Sequence, residues 1–494
     1  MKYNALHIGL DCLLIRIPQL RVTGLASSGV VTTLLFGLLT VLPSYSFASP
    51  DYGPSIDQLR IYHGDRIAAN AQSIRSQLDL LQPADGLKHN FGFDNTPTWL
   101  LLTFKEQEYD KVLGLGFAPL DSVELFVLKK DSLHLIGISG DLVGNKTGLL
   151  NNYPAFLLHR KQQEDSILIR VATQSSHQIA LTIDDQVSYI NRSSIRHTLY
   201  AILYGVLITM LLFNILVYGV LKDKTYVYYS LYLLSQALMF GCINGQVDEF
   251  LLKGKILIGN ELTILSFCAL NISSLLFTSY FLRLSKNDKG LSNTFRIIMI
   301  LVGLVAFTIP FVQYAVLVKT TVLIALVSCL LILVAGYKGL YKGQSYARFF
   351  VSAWTLYLIT MILLILQRFG ILGNSFFLVH LTEIGAVVET FLITLALIDK
   401  FNSIRSENEE HLASIQKQAN ELKIKTIQLE GHAYRLSHVL RKPVANIIGL
   451  VSFLTSREDF KDDPALSKLD LSGKELDEVI KAEARRIEGN GYMN

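Results

Sequence analysis

Seven long apolar runs occupy the stretch from His197 to Lys400. Each is close to the roughly 20 residues that a helix needs to cross about 30 Å of hydrocarbon. A backbone in lipid must satisfy its own hydrogen bonds, so the runs predict helices rather than strands. We therefore expect a seven-helix membrane domain over residues 197–400. The runs cover residues 198–221, 226–245, 262–282, 297–313, 315–336, 349–366 and 378–398.

Basic residues between the runs predict the orientation of this domain. Since Lys and Arg accumulate in cytoplasmic loops, connections rich in them are expected inside the cell. The second, fourth and sixth connections hold only Lys253, Lys255 and Arg368. The chain should therefore enter the membrane from outside and leave it, at Lys400, on the inside. The bases of the other three connections are Lys222, Lys224, Arg283, Lys286, Lys289, Arg296, Lys338, Lys342 and Arg348.

The N-terminal segment, residues 1–48, has the pattern of a secretory signal. Basic residues precede an apolar run from Val30 to Leu42, and small residues, Ser46 and Ala48, follow where a signal peptidase would read them. Cleavage after Ala48 is one alternative, and an uncleaved N-terminal anchor is the other. Either alternative delivers the following residues across the membrane.

Residues 49–190 are predicted to form an all-β domain. The short runs Trp99–Phe104, Ser122–Leu128 and Ser166–Val171 are apolar or alternating, and turn formers such as Pro119, Gly140, Asn151, Asn152, Asp184 and Asp185 separate them. This spacing is typical of a sandwich of antiparallel strands. No cysteine lies in this segment, so the domain must rely on a packed core rather than on a disulfide.

Trp99 is the candidate ligand-binding residue of this domain, since an exposed indole can stack on a sugar. The alternative is that the ring fills the core of the sandwich, as strand aromatics usually do. His159 and His177 flank strands without a partner in sequence, so we do not expect them to be ligands.

Composition excludes several classes of protein. The chain has 494 residues, 51% apolar and 17% charged, and a net charge of +4 that cytoplasmic loop bases partly explain, so it gives no argument for nucleic acid. The four cysteines form no C-x-x-C pair, and no clustered His and Cys suggest a metal site. We expect no metal and no cofactor in this chain.

Two glutamates in the seventh run are candidates for a ligand or signalling role, because ionisable groups at membrane depth are usually functional. Glu383 and Glu389 are six residues apart, about 120° around a helix, and are not expected to share one face. The alternative for Glu389, the deeper of the two, is a hydrogen bond that holds helices together. The same structural role is expected of Asn214, Gln236, Asn271 and Gln367.

The order of these parts resembles the bacterial seven-transmembrane receptors with diverse intracellular signalling modules and a type 2 extracellular domain, over roughly residues 60–405. The resemblance implies a jelly-roll-like periplasmic sandwich that binds a small ligand, such as a carbohydrate, and a multi-pass protein of the inner membrane. Helix count alone would also allow a transporter. The motifs are the Trp99 strand, Asp121–Phe126, Asn214 with Tyr218, Lys222–Tyr229, Tyr346–Phe350, Glu383–Glu389 and Leu397–Lys400.

A heptad stripe follows the last run. Over residues 401–436 its spacing predicts a parallel two-stranded coiled coil, and hence a homodimer. Small residues at Ala419, Thr426 and Ala433 weaken one seam, which suits a helix whose packing changes with a signal. The stripe consists of Leu412, Ile415, Ala419, Leu422, Thr426, Leu429, Ala433, Leu436 and Leu440.

Residues 437–489 are predicted to form a helical hairpin, with a tail at 490–494. If Leu440 is an a position, His438 is an f position and faces solvent, as a phosphoryl acceptor must. Pro443 is expected to bend the first helix, and Asp463-Pro464 to open the second. Paired hairpins would make a four-helix bundle. Leu466, Leu469, Leu476, Ile480 and Ile487 line the second helix.

This hairpin resembles the dimerisation and phosphoacceptor domain of sensor histidine kinases, through His438, Arg441, Pro443 and the Asn446–Gly449 tail. The resemblance implies that His438 is phosphorylated in a two-component phosphorelay. Two departures weaken it: Val439 replaces the acid that acts as general base, and Lys442 replaces the Thr or Asn that positions water. The alternative is an exposed histidine on a plain coiled coil.

Only 56 residues follow His438, and none of them forms a glycine-rich phosphate loop. We therefore expect this chain alone not to bind ATP. The sequence favours a dimeric receptor with a histidine-kinase-type helical output. One alternative is a histidine kinase that is complete only with a separate ATP-binding kinase chain and that passes its phosphoryl group to a response regulator. Another alternative is a transporter with Glu389 on the substrate path.

Overall fold

The structure, a computed structural model, describes most of the chain and divides into two compact units. Unit 1 is Met1–Ala396 and unit 2 is Leu397–Asn494. The leader, 1–48, lies outside the described residues. These are residues 56–64, 77–84, 86–104, 110–129, 132–143, 153–159, 166–252, 259–372, 376–457 and 463–491.

Unit 1 begins with a sandwich of two antiparallel sheets, which confirms the all-β prediction. One sheet has the order β2-β1-β4-β9-β6-β7, and the other has the order β3-β10-β5-β8. The three strands predicted from apolar runs are β4, β6 and β9. The strands are β1 Ile56–His63, β2 Gln82–Pro83, β3 Lys88–Asn90, β4 Thr98–Phe104, β5 Lys111–Leu115, β6 Ser122–Lys129, β7 Ser132–Ser139, β8 Ala155–Leu158, β9 Ser166–Ala172 and β10 Gln178–Asp185.

Alternation along each strand builds the core between the sheets. Leu100 and Leu102 of β4 meet Leu113 and Phe156 of the other sheet in one fully buried cluster. Burying one such side chain contributes roughly 1.5–3 kcal/mol, so this cluster stabilises a domain that has no disulfide.

Seven helices long and apolar enough to cross a membrane follow the sandwich in the described residues, as the seven runs predicted. Each helix overlaps the apolar run that predicted it, but the last helix extends far beyond its run. They are α1 Gln186–Leu221, α2 Lys224–Ile243, α3 Gly259–Phe281, α4 Lys289–Phe307, α5 Tyr314–Tyr341, α6 Ala347–Arg368 and α7 Phe376–Thr455.

The first helix begins earlier than its apolar run indicates. Asp185, the last residue of β10, accepts a hydrogen bond from the Ser188 amide at 3.1 Å and so caps α1 at its N-terminus. The helix therefore starts at Gln186, and its first three turns are mostly polar. As a result strand β10 runs into the first membrane helix without a linker.

Unit 2 contains the remainder of α7 and the helix α8, Pro464–Gly491. Helix α7 continues through Pro443, and the expected bend at that residue stays a prediction. Asp463 accepts from the Ala465 amide at 2.8 Å, which caps α8 at the expected position. Among the described residues of this unit, Leu397, Val444 and Val451 of α7 and Ile480 and Ala484 of α8 are the buried apolar ones.

Candidate functional site

The outer sandwich contacts the bundle at the end of α6. The Asn90 side-chain amide donates to the Gln367 carbonyl oxygen at 2.6 Å, and the Ser176 hydroxyl donates to the Arg368 carbonyl oxygen at 2.7 Å. Helix C-terminal carbonyls lack partners within their own helix, so these side chains serve as its cap. The domain is thereby joined to the helix end that leads to α7.

Two glycines allow the backbones to approach at this junction. Gly92 and Gly370 have φ values of +70° and +79°. A Cβ at Gly92 would lie 3.1 Å from the Phe369 carbonyl oxygen, and one at Gly370 would lie 3.1 Å from the Asn90 carbonyl oxygen. The rings of Phe93 and Phe369 pack against each other at this junction, with their centroids 5.3 Å apart. The junction therefore needs glycine for both conformation and space.

A histidine network lies directly behind the junction. The His177 ring Nδ1 is 3.2 Å from the Asp94 carbonyl oxygen, so Nδ1 carries the proton and Nε2 accepts from the Thr98 hydroxyl at 3.0 Å. His63 Nδ1 lies 2.8 Å from the same hydroxyl, and its Nε2 lies 3.2 Å from the Asp94 carboxylate. Thr96 binds both His63 and Asp94. Burial lowers the pKa of His177 to about 4, which keeps the ring neutral.

A cavity of about 200 Å³ extends from the sandwich into the helix bundle. Phe93, Phe117 and Asp141 line its outer end, and Trp354 lines its inner end. Helices α2, α3, α5 and α6 each contribute residues spaced three or four apart, which places one face of each along the cavity. It is an elongated, mainly apolar space inside unit 1.

Charged groups collect at the outer end of this cavity. The Lys319 ammonium lies 5.6 Å from the centre of the Phe93 ring, and the Arg368 guanidinium lies 4.7 Å from that of Phe117. Asp141 lines the same end. Burial, together with the neighbouring acids Asp121 and Asp248, raises the pKa of Asp141 well above its usual range. This shift favours the neutral form of the Asp141 carboxyl beside the two cationic side chains.

Glu389 is fully buried between α7 and α2. The Tyr232 hydroxyl lies 2.8 Å and 2.9 Å from its two carboxylate oxygens, and the Gln236 amide donates to it at 3.2 Å. These contacts form the helix-to-helix hydrogen bond that the sequence left as an alternative to ligand binding. Asn271 likewise bonds Ser328 across two helices, at 3.0 Å, but Asn214 donates to Met210 of its own helix.

Glu383 also meets α2, although the two glutamates were expected on different faces. Its Oε1 accepts from the Asn244 side chain, at the C-cap of α2, at 3.3 Å, and its Oε2 lies 3.6 Å from His380 Nδ1. A separation of about 120° still leaves both carboxylates within reach of one neighbouring helix. Glu383 lines the cavity, whereas Glu389 touches it only through Tyr232, which is a lining residue.

Trp99 is fully buried, and its ring is not available as an open stacking platform in this state. It lies in a second cluster, with Leu81, Phe126 and Leu168, rather than between the two sheets. This cluster covers the outer face of the six-stranded sheet, because Trp99 alternates with Leu100, which faces the core. Arg170 lies over the ring, 5.9 Å from its centre.

His438 is exposed on α7, and its ring contacts that of Tyr434 at 4.6 Å between centroids. Arg441 is half-buried, and its Nε is buried without a hydrogen-bond partner in the described part of the chain. Pro443 is exposed within the helix. An exposed imidazole has the access that phosphoryl transfer requires.

Several residues of the junction and cavity were not candidates from sequence. Asn90, Ser176 and Asp141 are ordinary polar residues in loops or strand ends, and Arg368 served only as an orientation signal. The glycines that flank Phe91 and Phe369 were the available signal, since Gly at a chain reversal marks a position of positive φ or close approach.

Comparison with family models matches two regions of the chain. Residues 196–400 match a model described as 7TM diverse intracellular signalling, and residues 54–185 match one described as 7TMR-DISM extracellular 2. Comparison with curated proteins finds no match. The matched regions are the seven-helix domain and the sandwich, in the order that the sequence resemblance implied.

Proposed function

Because this chain belongs to the seven-transmembrane receptors with diverse intracellular signalling, we propose that it converts ligand binding outside the cell into a change in the helix that carries His438. It acts as a homodimer in the bacterial inner membrane. Residues 49–190 face the periplasm, and the chain after Lys400 faces the cytoplasm. The loop bases support this orientation.

The junction at the end of α6 carries this proposal. Asn90 and Ser176 of the sandwich hold the carbonyl oxygens of Gln367 and Arg368, a few residues before α7 begins at Phe376. A ligand that shifts the sandwich would therefore act directly on the segment that leads into α7. Helix α7 is continuous to Thr455 and includes His438.

Hydrogen bonds inside the bundle supply the two-state element that a receptor needs. Glu389 of α7 is fully buried and is held by Tyr232 and Gln236 of α2. Buried polar networks of this kind have discrete alternative pairings, so α7 would change position in a step rather than continuously. Ligand binding then shifts the populations of two states.

His438 is the proposed phosphoacceptor, and the ATP would be bound by a separate kinase chain. A ring nitrogen attacks the γ-phosphorus, the nitrogen–phosphorus bond forms, and the bond to the ADP oxygen breaks. The ring proton must pass to a base supplied by that partner, since residue 439 is valine. Arg441 and Pro443 would orient the acceptor, and a response regulator would take the phosphoryl group onward.

Exposed apolar residues support dimerisation of the cytoplasmic arm. In the single chain the heptad residues Leu422, Leu429 and Leu436 are 61–70% exposed, and Leu476 of α8 is 50% exposed. Each would bury its surface against a second copy, as in a parallel coiled coil and a four-helix bundle. Burial of each leucine contributes roughly 1.5–3 kcal/mol.

Phosphorylation in the presence of a partner tests the proposal. The full-length chain is incubated with labelled ATP and a separate ATP-binding histidine kinase domain, and label on His438 is expected. His438→Ala should abolish the label, whereas His432→Ala, an exposed histidine on the same helix, should retain it. Label that survives His438→Ala would refute the acceptor role.

A further inference from the structure

We propose that the cavity of unit 1 binds an amphiphile with an anionic head and a slender apolar tail, of the size of a medium-chain carboxylic acid. That this binding is the sensing step rests on the proposed function, whereas the binding itself does not. The head would lie between Lys319 and Arg368, and the tail would extend towards Trp354.

The shape of the cavity favours an elongated ligand. On α6 the lining residues Trp354, Tyr357, Met361, Leu364, Ile365 and Arg368 follow one helical face. At about 1.5 Å per residue, this face extends about 21 Å. A cavity of about 200 Å³ is slightly larger than one of roughly 150 Å³ that accepts benzene. Long and narrow dimensions fit one alkyl chain better than a sugar or a fused ring.

The cations at the outer end have no anionic partner among the residues that the structure describes. Lys319 and Arg368 each rest on an aromatic ring, and neither forms a salt bridge or a side-chain hydrogen bond with any residue that the structure describes. Glu383 influences Arg368 electrostatically, but it is already engaged by Asn244 and His380. Lys319 is exposed and Arg368 is half-buried, so the cost of an unpaired cation falls mainly on Arg368, and a bound carboxylate or phosphate would stabilise this end.

The acids at this end do not supply that anion. Burial raises the pKa of Asp248, and burial with its acidic neighbours raises that of Asp141. Both carboxyls are thereby shifted towards the neutral form, which reduces their repulsion of an anionic ligand. A neutral carboxyl can also donate a hydrogen bond to a ligand oxygen.

Two further donors that line the cavity have no acceptor in the described part of the chain. The Thr382 hydroxyl and the Trp354 indole nitrogen are buried, with residue exposures of 6% and 2%, and neither has a hydrogen-bond partner within the described ranges. Thr382 neighbours Glu383 at the outer end, where it can donate to the anionic head. An unpaired buried donor costs about 1–3 kcal/mol, so an acceptor from outside the chain is expected.

Fluorescence gives a direct test, because the chain contains only two tryptophans and Trp354 lines the cavity. The full-length Trp99→Phe protein is placed in phosphatidylcholine nanodiscs and titrated with dodecanoate that carries a terminal bromine, a contact quencher of indole. Saturable quenching of Trp354 is expected. The bromododecanol and bromododecyl-trimethylammonium analogues should not saturate, and Trp354→Phe gives the background from Trp99.

Head-group recognition is tested with charge variants. Lys319→Gln and Arg368→Gln should each raise the Kd of bromododecanoate about tenfold, the factor expected for one charge-assisted hydrogen bond. Lys289→Gln, outside the lining set, should leave it unchanged. Competition by phosphatidylglycerol added to the nanodisc would identify a lipid phosphate as the source of the anionic head; its absence would identify a free carboxylate.

Equal saturation by the alcohol, the ammonium and the carboxylate would overturn the proposal, as would failure of the carboxylate to saturate. The head-group series needs no substitution in the cavity, so it remains decisive if a charge variant misfolds. Binding is measured without any kinase, so its failure leaves the role of His438 standing. Loss of phosphorylation at His438 would likewise leave the binding result intact.

Discussion

Replacing Gly370 by alanine should separate the outer sandwich from the bundle. Gly370 has φ +79°, and a Cβ there would lie 3.1 Å from the Asn90 carbonyl oxygen. Gly343 is the matched control, with φ +81° and no atom within 4 Å of the added Cβ. Both alanines cost about 1–2 kcal/mol because an L side chain is unfavourable in this region. Only Gly370→Ala also forces apart two backbones of the junction.

The additional cost follows from the junction hydrogen bonds. Displacement of Asn90 weakens its bond to the Gln367 carbonyl and the neighbouring bond from Ser176 to Arg368, and each contributes about 0.5–1.5 kcal/mol. Gly370→Ala should therefore open the junction by about 1–3 kcal/mol more than the control. At about 1.4 kcal/mol per factor of ten, this is roughly a five- to hundredfold change in the opening equilibrium.

Hydrogen–deuterium exchange measures that opening. The His177 amide donates to the Gly92 carbonyl oxygen at 2.6 Å, directly behind the junction. In the full-length protein, exchange of peptides that contain residue 177 should accelerate at least fivefold in Gly370→Ala and stay near the wild-type rate in Gly343→Ala. Equal exchange in the two variants would refute the assigned role of the junction.

Three further predictions test other parts of the molecule. Tyr232→Phe removes a donor to the buried carboxylate of α7 and should destabilise the bundle by about 1–2 kcal/mol, measured by thermal unfolding in detergent against the exposed control Tyr337→Phe. The folded-state pKa of His177, about 4, lies below its unfolded value of 6.5, so its contribution of about 3 kcal/mol is present above pH 6.5 and lost as the pH falls towards 4. His177→Gln should flatten that part of the stability curve, and an unchanged curve would contradict it. Leu429→Asp should dissociate the full-length dimer in sedimentation, whereas Lys417→Asp at an f position should not; a dimer in both would exclude the coiled coil.

Sequence was sufficient for features set by local pattern. The strand Trp99–Phe104 was apparent from its apolar residues, and the seven helices were apparent from their length and composition. The start of α1 was not apparent from the sequence, because hydropathy marks only where a helix enters lipid. The cap at Asp185 decides where this helix begins, and it adds three mostly polar turns.

Long-range arrangement could not be predicted from pattern. The alternation of β4 divides its residues between two faces, but it does not say that the face with Trp99 is also covered. The junction depends on the carbonyl oxygens of Gln367 and Arg368, and every residue has such an oxygen. The cavity depends on the relative positions of five helices, which no single run of sequence contains.

The compartment of each end of the receptor is the most direct test of the central claim, that a sensing domain on one side of the membrane acts on His438 on the other. Fusions after His159 and at the C-terminus would carry a phosphatase, active only in the periplasm, or a fluorescent protein, active only in the cytoplasm. Phosphatase activity is expected for the first fusion and fluorescence for the second. Activity of the same reporter at both positions would contradict it.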